Sequence, residues 1–350
     1  MQAAVYRGVG EVCLEAVPVP SIGPGEALVR IGACGVCGTD IKKMQHGLQP
    51  PPRIFGHEMA GTIVALGAGV SGWRVGERVA LYHHLPCGAC HYCAHEAFAQ
   101  CPTYKRTGTT AGFTPAGGGF AEYVRVMDWI VAGGGMVRLP DDLTFEEATF
   151  LEPVNTCLKG VRRLGIHPGD TVLVCGQGAI GLLLTQLARR DGATVLATDP
   201  IPRRREIARA LGATAALDPG TDAFTEVIRE HTDGRGADAA IVAAGGAGVI
   251  TQALAAVRPG GKVLLFANTR PGEPVTVDAG AICAAEKDLI GSYSSAVTLN
   301  AEVEQIVFRR EIDVRSLVTH RYPLAQTAEA IARAASPSGE ALKVLVLPTA

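Results

Sequence analysis

Aromatic residues are scarce in this chain, at only 5% of its 350 residues, whereas glycine is abundant at 43. Few aromatics argue against aromatic recognition surfaces, and many glycines point to tight turns and close backbone contacts. An excess of charge is missing too. The formal net charge of -2 at pH 7 leaves no footprint for nucleic acid, and no basic run is long enough to suggest an anionic membrane. Nor is there an uninterrupted apolar run able to span a bilayer. Met1-Gln2-Ala3-Ala4-Val5-Tyr6-Arg7 lacks a positive segment followed by an apolar core, so it does not read as a signal peptide, and the expected setting is cytoplasmic. Ten cysteines in such a chain do not read as a disulfide framework, because the cytosol keeps thiols reduced.

What is present divides the chain in two, and its length predicts two domains, each able to bury its own core. Short alternating runs at 27–31, 61–66, 77–81 and 120–126 lie between Gly- and Pro-rich loops, the pattern of an irregular antiparallel β domain. The pattern changes at Thr144. Thr144-Phe145-Glu146-Glu147 is a capping box, and a helix kinked at Pro153 is expected from there to about residue 164. Strands at 171–175, 194–198, 215–217, 239–243 and 262–266 then alternate with helices at 179–190, 203–211, 223–230 and 249–257. Such alternation predicts a doubly wound parallel sheet. In the mixed tail, strands are expected at 289–293, 317–322 and 342–347 and helices at 299–308 and 325–335, with part of it returning to the first domain.

The cysteines fall into groups. Cys13, Cys34, Cys157, Cys175 and Cys283 lie in apolar surroundings and read as core residues. Cys87, Cys90, Cys93 and Cys101 are spaced C-x2-C-x2-C-x7-C, and four thiolates close a tetrahedral zinc site without water, which is the structural arrangement. An iron–sulfur cluster competes, because Pro102 follows Cys101, but the ferredoxin pattern closes with a gap of three residues rather than seven. Cys37 stands apart, in Cys37-Gly38-Thr39-Asp40, with Gly56-His57-Glu58 shortly after it. A thiolate, an imidazole and a nearby carboxylate suit a zinc ion that keeps one position open for chemistry. Taken singly, these would read as a half-buried Cys and a satisfied core His. Glu152, ahead of Pro153, would read singly as an exposed helix-end residue, but its neighbours Phe150, Leu151 and Val154 are apolar. Those flanks fit a carboxylate turned into a cleft beside a metal.

The run 171–175 leads straight into Gly176-Gln177-Gly178-Ala179-Ile180-Gly181 and then an apolar helix. G-x-G-x-x-G alone is weak evidence and fits a Gly-rich turn of other α/β proteins. Between a buried strand and a helix it becomes a dinucleotide fingerprint, in which Gly176, Gly178 and Gly181 allow a tight turn and close approach of a pyrophosphate. Asp199 ends the next strand, where a carboxylate would accept hydrogen bonds from ribose hydroxyls and repel a 2′-phosphate, so NAD is expected over NADP. Arg203-Arg204-Arg205 complicates that expectation, since an arginine near the ribose accommodates NADP.

Together the motifs resemble the zinc-dependent members of the medium-chain dehydrogenase/reductase superfamily, closest to the polyol (sorbitol-type) and threonine dehydrogenase branch. The resemblance covers essentially the whole chain and rests also on Gly56-His57-Glu58-Met59-Ala60-Gly61, Gly118-Gly119-Phe120-Ala121-Glu122-Tyr123 and Leu151-Glu152-Pro153. It implies an α/β fold class: a GroES-like β-rich catalytic domain, 1–153 and 292–350, and an inserted Rossmann doubly wound parallel-sheet cofactor domain, 154–291. By position it implies Cys37 and His57 as zinc ligands, Glu152 as a third ligand, direct or through water, and Glu58 as a neighbour able to exchange onto the metal. Thr39 would relay the alcohol proton, and Ile180, Asp199 and Arg204 would hold the dinucleotide. Where the family often carries a relay histidine this chain has Lys42, with His46 nearby. The implied activity is hydride transfer between NAD and a secondary alcohol, a polyol or sugar derivative, by a homodimer or homotetramer with one catalytic and one structural zinc. Threonine dehydrogenase, a simple secondary alcohol dehydrogenase and a non-enzymatic dinucleotide-sensing zinc protein are the alternatives.

Overall fold

The computed structural model describes residues 1–104, 116–220, 224–267, 272–336 and 340–348. The chain divides into two compact units: Met1–Pro153, Ala296–Arg310 and Val314–Ala350 form the first, and Val154–Ser295 with Glu311–Asp313 the second.

The long N-terminal segment of the first unit carries strands β1 (Gln2–Gly8), β2 (Glu11–Ala16), β3 (Ala27–Gly35), β4 (Arg53–Ile54), β5 (Glu58–Leu66), β6 (Arg78–Leu81), β7 (Tyr123–Val126) and β8 (Met136–Arg138). Its helices are short: α1 (Gly38–Gln45), α2 (His91–Ala94), α3 (Asp128–Ala132) and α4 (Phe145–Ala148). β3 is the spine. Ala27, Val29, Ile31 and Ala33 are completely buried along it, the period-two burial of a half-covered strand. It pairs antiparallel with β5, from Ala27 opposite Leu66 to Gly35 opposite Glu58.

The second unit continues from α5 (Leu151–Leu164), whose first turn belongs to the first unit. Strands β9 (Thr171–Cys175), β10 (Thr194–Thr198), β11 (Ala215–Leu217), β12 (Ala237–Val242), β13 (Val257–Leu265) and β14 (Asp288–Gly291) form a parallel sheet in the order β11-β10-β9-β12-β13-β14. Between them run α6 (Ala179–Arg190), α7 (Pro202–Ala210), α8 (Phe224–Glu230), α9 (Ala247–Ala256) and α10 (Ala279–Ala284). The strand order reverses between β9 and β12, the position where open parallel sheets leave a ligand crevice at their carboxyl ends.

The chain then returns to the first unit with α11 (Asn300–Phe308), β15 (Val318–Pro323), α12 (Thr327–Ala335) and β16 (Lys343–Leu347). β16 lies antiparallel to β3 and parallel to β15, so the larger sheet runs β15-β16-β3-β5-β6-β8, with β7 also on β3. An arginine network fastens this return. Arg310 Nε and Arg315 Nε donate to Glu147 Oε1 at 2.8 and 2.7 Å, and Arg321 meets Glu146 at 2.6 Å. Burial alone would raise the Glu147 carboxyl, but bonds from Arg315, Arg310 and the Thr144 cap hold it down to about 2.

Several local expectations are corrected. Both halves of the Thr144–Glu147 capping box form, but α4 ends at Ala148 and a new helix starts at Leu151. Pro153 therefore sits in the first turn of α5, where its missing N–H has no intrahelical partner to lose, and it kinks nothing. Cys34, Cys157 and Cys175 are buried, but Cys13 and Cys283 are exposed, on the edge strand β2 and on α10, so these two are not core residues. β13 starts at Val257, ahead of the expected 262, because its pairing with β12 shifts register across Pro259-Gly260-Gly261. Ala223, the expected first residue of a helix, lies outside the described residues.

Candidate functional site

Cys37 and His57 lie far apart in sequence but meet because β3 and β5 are antiparallel with their relevant ends in register. Gly35 ends β3 opposite Glu58, which begins β5. Cys37 follows two residues beyond that point, and His57 precedes it by one. The Cys37 sulfur, one His57 ring nitrogen and one Glu58 carboxylate oxygen all lie within 4.8 Å of one another. Cys37 is also the N-cap of α1, and its Sγ accepts the Thr39 backbone N–H at 3.4 Å. Thr39 is half-buried in the first turn of that helix.

Asp40, on the same helix, is completely buried with Oδ2 3.0 Å from His57 Nδ1. A carboxylate on Nδ1 fixes the ring and leaves Nε2 for a metal, the arrangement found behind metal-bound histidines. Sequence reading assigned Asp40 no role. Burial works against a charged His57, but Asp40 and the Cys37 thiolate outweigh it and raise its pKa well above the ordinary value. A cation in this pocket is thus favoured by its surroundings, and the mixed S, N, O donor set fits zinc.

The two glutamates differ. Glu58 is buried and ion-paired with Lys343 Nζ, which comes from β16, near the other end of the chain. Glu152, in the first turn of α5, stands outside the three-donor cluster; burial raises its carboxyl, His57 lowers it and Glu58 raises it further. Glu152 lines a small cleft with Met59, Tyr82, Thr149 and Leu151. Lys42, on α1, and His46, its C-cap, are both exposed.

Cys87, Cys90, Cys93 and Cys101 form the second cluster of four sulfurs within 4.8 Å. Cys90 Sγ lies 3.5 Å and Cys87 Sγ 3.9 Å from Cys93 Sγ. A single tetrahedral ion with metal–sulfur bonds of about 2.3 Å would set its sulfurs roughly 3.8 Å apart. Cys93 and Cys101 are packed with Phe98 and Tyr104, while Cys87 is exposed. Cys101 falls to about 6: burial would raise it, but the Thr103 hydroxyl and the Cys87 N–H outweigh burial.

In the second unit the turn from β9 to α6 carries the glycine motif. Gly176 has φ 95°, and a Cβ on Gly181 would collide with the Gly176 carbonyl, which explains both glycines. Gly178 is the N-cap of α6, with open space where a Cβ would be, and Ile180 is in its first turn. Asp199 follows β10 and is buried; its carboxylate accepts the Gln177 and Ile201 N–H groups at 2.7 and 2.9 Å, tying the glycine turn to the neighbouring loop. Arg204 approaches Asp199 at 3.8 Å, Arg205 folds back on the Asp199 and Pro200 carbonyls, and Arg203 pairs with Glu206 on the surface.

Residues 23–137 match the alcohol dehydrogenase GroES-like domain, and residues 179–310 match the zinc-binding dehydrogenase family. The sorbitol dehydrogenase of Bacillus subtilis (strain 168) is 33% identical over 354 residues, covering 99% of this chain and 97% of that protein. An L-threonine 3-dehydrogenase of Pyrococcus horikoshii is 34% identical over 75% of this chain and 73% of its own. Among solved structures, a protein described as a zinc-binding dehydrogenase from Sinorhizobium meliloti 1021, bound to NADP, superposes with a TM-score of 0.89 at 30% identity, covering 99% of both chains. With the GroES-like first unit, the six-stranded parallel sheet and, over 99% of its length, 33% identity to the sorbitol dehydrogenase, this chain belongs to the zinc-dependent medium-chain dehydrogenase family.

Proposed function

We propose that this protein transfers hydride between NAD and a secondary hydroxyl of a polyol or sugar derivative, with the first unit as catalytic domain and the second as cofactor domain. The observation that carries the reading is the Cys37–His57–Glu58 donor cluster with Thr39 beside it, its backbone N–H 3.4 Å from the Cys37 sulfur. Cys37 and His57 would hold a catalytic zinc, with Glu152 available as a further donor. Bound there, zinc supplies Lewis-acid polarisation of the substrate oxygen. Asp40 holds the His57 ring, Thr39 takes the hydroxyl proton and passes it outward, and the apolar lining of Met59 and Leu151 restricts water. The four-cysteine lobe would hold a structural zinc, a reading its sulfur spacing supports over a larger cluster. Gly176, Gly178, Ile180 and Gly181 would cradle the pyrophosphate, with Asp199 and Arg204 beside the adenosine ribose.

The edge strand β14, with Leu289 on it and Tyr293 just beyond it exposed, supports a homodimer formed through this edge, which sedimentation would test. The substrate assignment is tested by following reduced nicotinamide with NAD and a panel of vicinal diols, sugar alcohols, threonine, 2-propanol and 2-butanol. A second hydroxyl gives the pocket carboxylates a group to orient, so polyols are expected to exceed simple alcohols by at least about tenfold in kcat/KM, or ~1.4 kcal/mol. Glu152→Gln should shrink that advantage. Equal kcat/KM for 2-butanol would remove the polyol assignment, and better kinetics with NADP would remove the cofactor assignment.

A further inference from the structure

The cysteine lobe carries two histidines that neither donor cluster uses. His91 is the first residue of α2 and His95, four positions on, is its C-cap, so the two side chains stand one above the other on one face of the turn. Their ring centroids are 4.2 Å apart, the planes tilted by 38°, and both residues are exposed. The backbone beneath them is held. Cys93, between them, is buried and packed with Phe98, Cys101 and Tyr104, and the Glu96 and Ala97 N–H groups close the turn on the Cys93 and Tyr92 carbonyls.

One hydrogen bond decides what the pair offers. His95 Nδ1 lies 2.8 Å from the His91 carbonyl oxygen. A carbonyl only accepts, so Nδ1 carries the proton and Nε2 keeps its lone pair, the state in which a histidine binds metal with its other nitrogen anchored. Satisfying a carbonyl at a helix end accounts for that bond, but not for a second imidazole beside it. The chain contains its own comparison. His231 makes the same bond, from Nδ1 to the Val227 carbonyl at 2.9 Å, but the residue four before it is that valine.

We propose that His91 and His95 form a third cation site, which takes a borderline divalent ion such as nickel, copper or zinc on its two imidazoles and leaves the other coordination positions to water. An ion bonded to each ring at about 2.0–2.1 Å sets the two nitrogens roughly 3 Å apart, within reach of rings whose centroids are 4.2 Å apart. Imidazole selects such ions over magnesium and calcium, which take oxygen ligands. With two neutral ligands against the thiolates of the clusters, the site fills only after they are loaded.

Nickel titrated into zinc-loaded protein is the probe, with heat and released zinc followed together. Wild-type protein should take up one nickel ion per chain without releasing zinc, and an equal concentration of magnesium should not displace it. His91→Gln and His95→Gln should each weaken nickel binding at least about tenfold, since losing a ligand costs no less than losing the group behind one. His231→Gln should leave nickel affinity as it is, and turnover should be unchanged in all three variants. Should one of the two ligand variants fail to fold, the other decides by the same measure. No nickel uptake would overturn the proposal, as would equal affinity in wild type and His91→Gln, which would leave His95 acting alone. Uptake matched by zinc release would also overturn it, because the nickel would then lie in the existing clusters.

Discussion

The two donor clusters of the first unit are built on opposite principles. Cys87, Cys90, Cys93 and Cys101 come from one short stretch, offer identical thiolates and need little of the surrounding sheet to meet. Cys37, His57 and Glu58 come from the ends of two paired strands, are chemically unlike one another, and are held by residues of two further elements, Asp40 on α1 and Lys343 on β16. A closed set of like ligands stabilises a fold, whereas a mixed set supported from several elements keeps a place for chemistry. The lobe is thus a local structure, and the mixed cluster is a property of the whole sheet.

The sharpest way to break this comparison is to remove one thiolate from each cluster. Cys37→Ser should lower kcat/KM by at least about a thousandfold, ~4 kcal/mol, with melting temperature little changed. Cys90→Ser should do the reverse, lowering melting temperature while the remaining folded fraction turns over at nearly the normal rate. If Cys90→Ser instead abolished turnover in a fully folded protein, the division of labour would be wrong. A smaller effect is expected one step out from the metal. Asp40→Asn keeps the shape but weakens the hold on His57 Nδ1, so zinc affinity or activity should drop about ten- to a hundredfold. No change in either would mean that Asp40 serves packing alone.

The smallest effect sharpens the contrast from outside both clusters. The folded Glu147 carboxyl is depressed to about 2, so its contribution to stability is fully present above the unfolded value, roughly 4.3, and is lost as pH falls from there through about 2. Discounted for the exposure of its arginine partners, the contribution is of order 1–2 kcal/mol. Glu147→Gln should lose that amount at neutral pH and flatten the acid limb of the stability curve, with metal content unchanged. An unaltered acid limb would show that the network carries no such linkage.

The same contrast governs what the sequence disclosed. The cysteine lobe and Gly176 to Gly181 are legible because their geometry is encoded in spacing along one short segment, and the alternation after residue 171 marks the parallel sheet with most boundaries within a residue or two. Cys37 and His57 are legible through their local motifs. Their supports are not. Nothing in the sequence gives Asp40 a role until α1 is seen to carry it against His57, and nothing singles out Lys343 until the sheet order puts β16 next to β3. Cys13 and Cys283 fail for a related reason: apolar neighbours in sequence say nothing about whether a strand is at an edge or a helix face is covered.

Graded chelation tests the central claim most directly, with metal content, turnover and melting temperature followed on the same samples. The account predicts two zinc ions per chain. It predicts that one leaves first, from the mixed and substrate-accessible cluster, and that activity disappears with it while the melting temperature barely moves; loss of the second then unfolds the protein. Iron in place of zinc, a single zinc per chain, or activity that survives loss of the first ion and falls only with unfolding would contradict it.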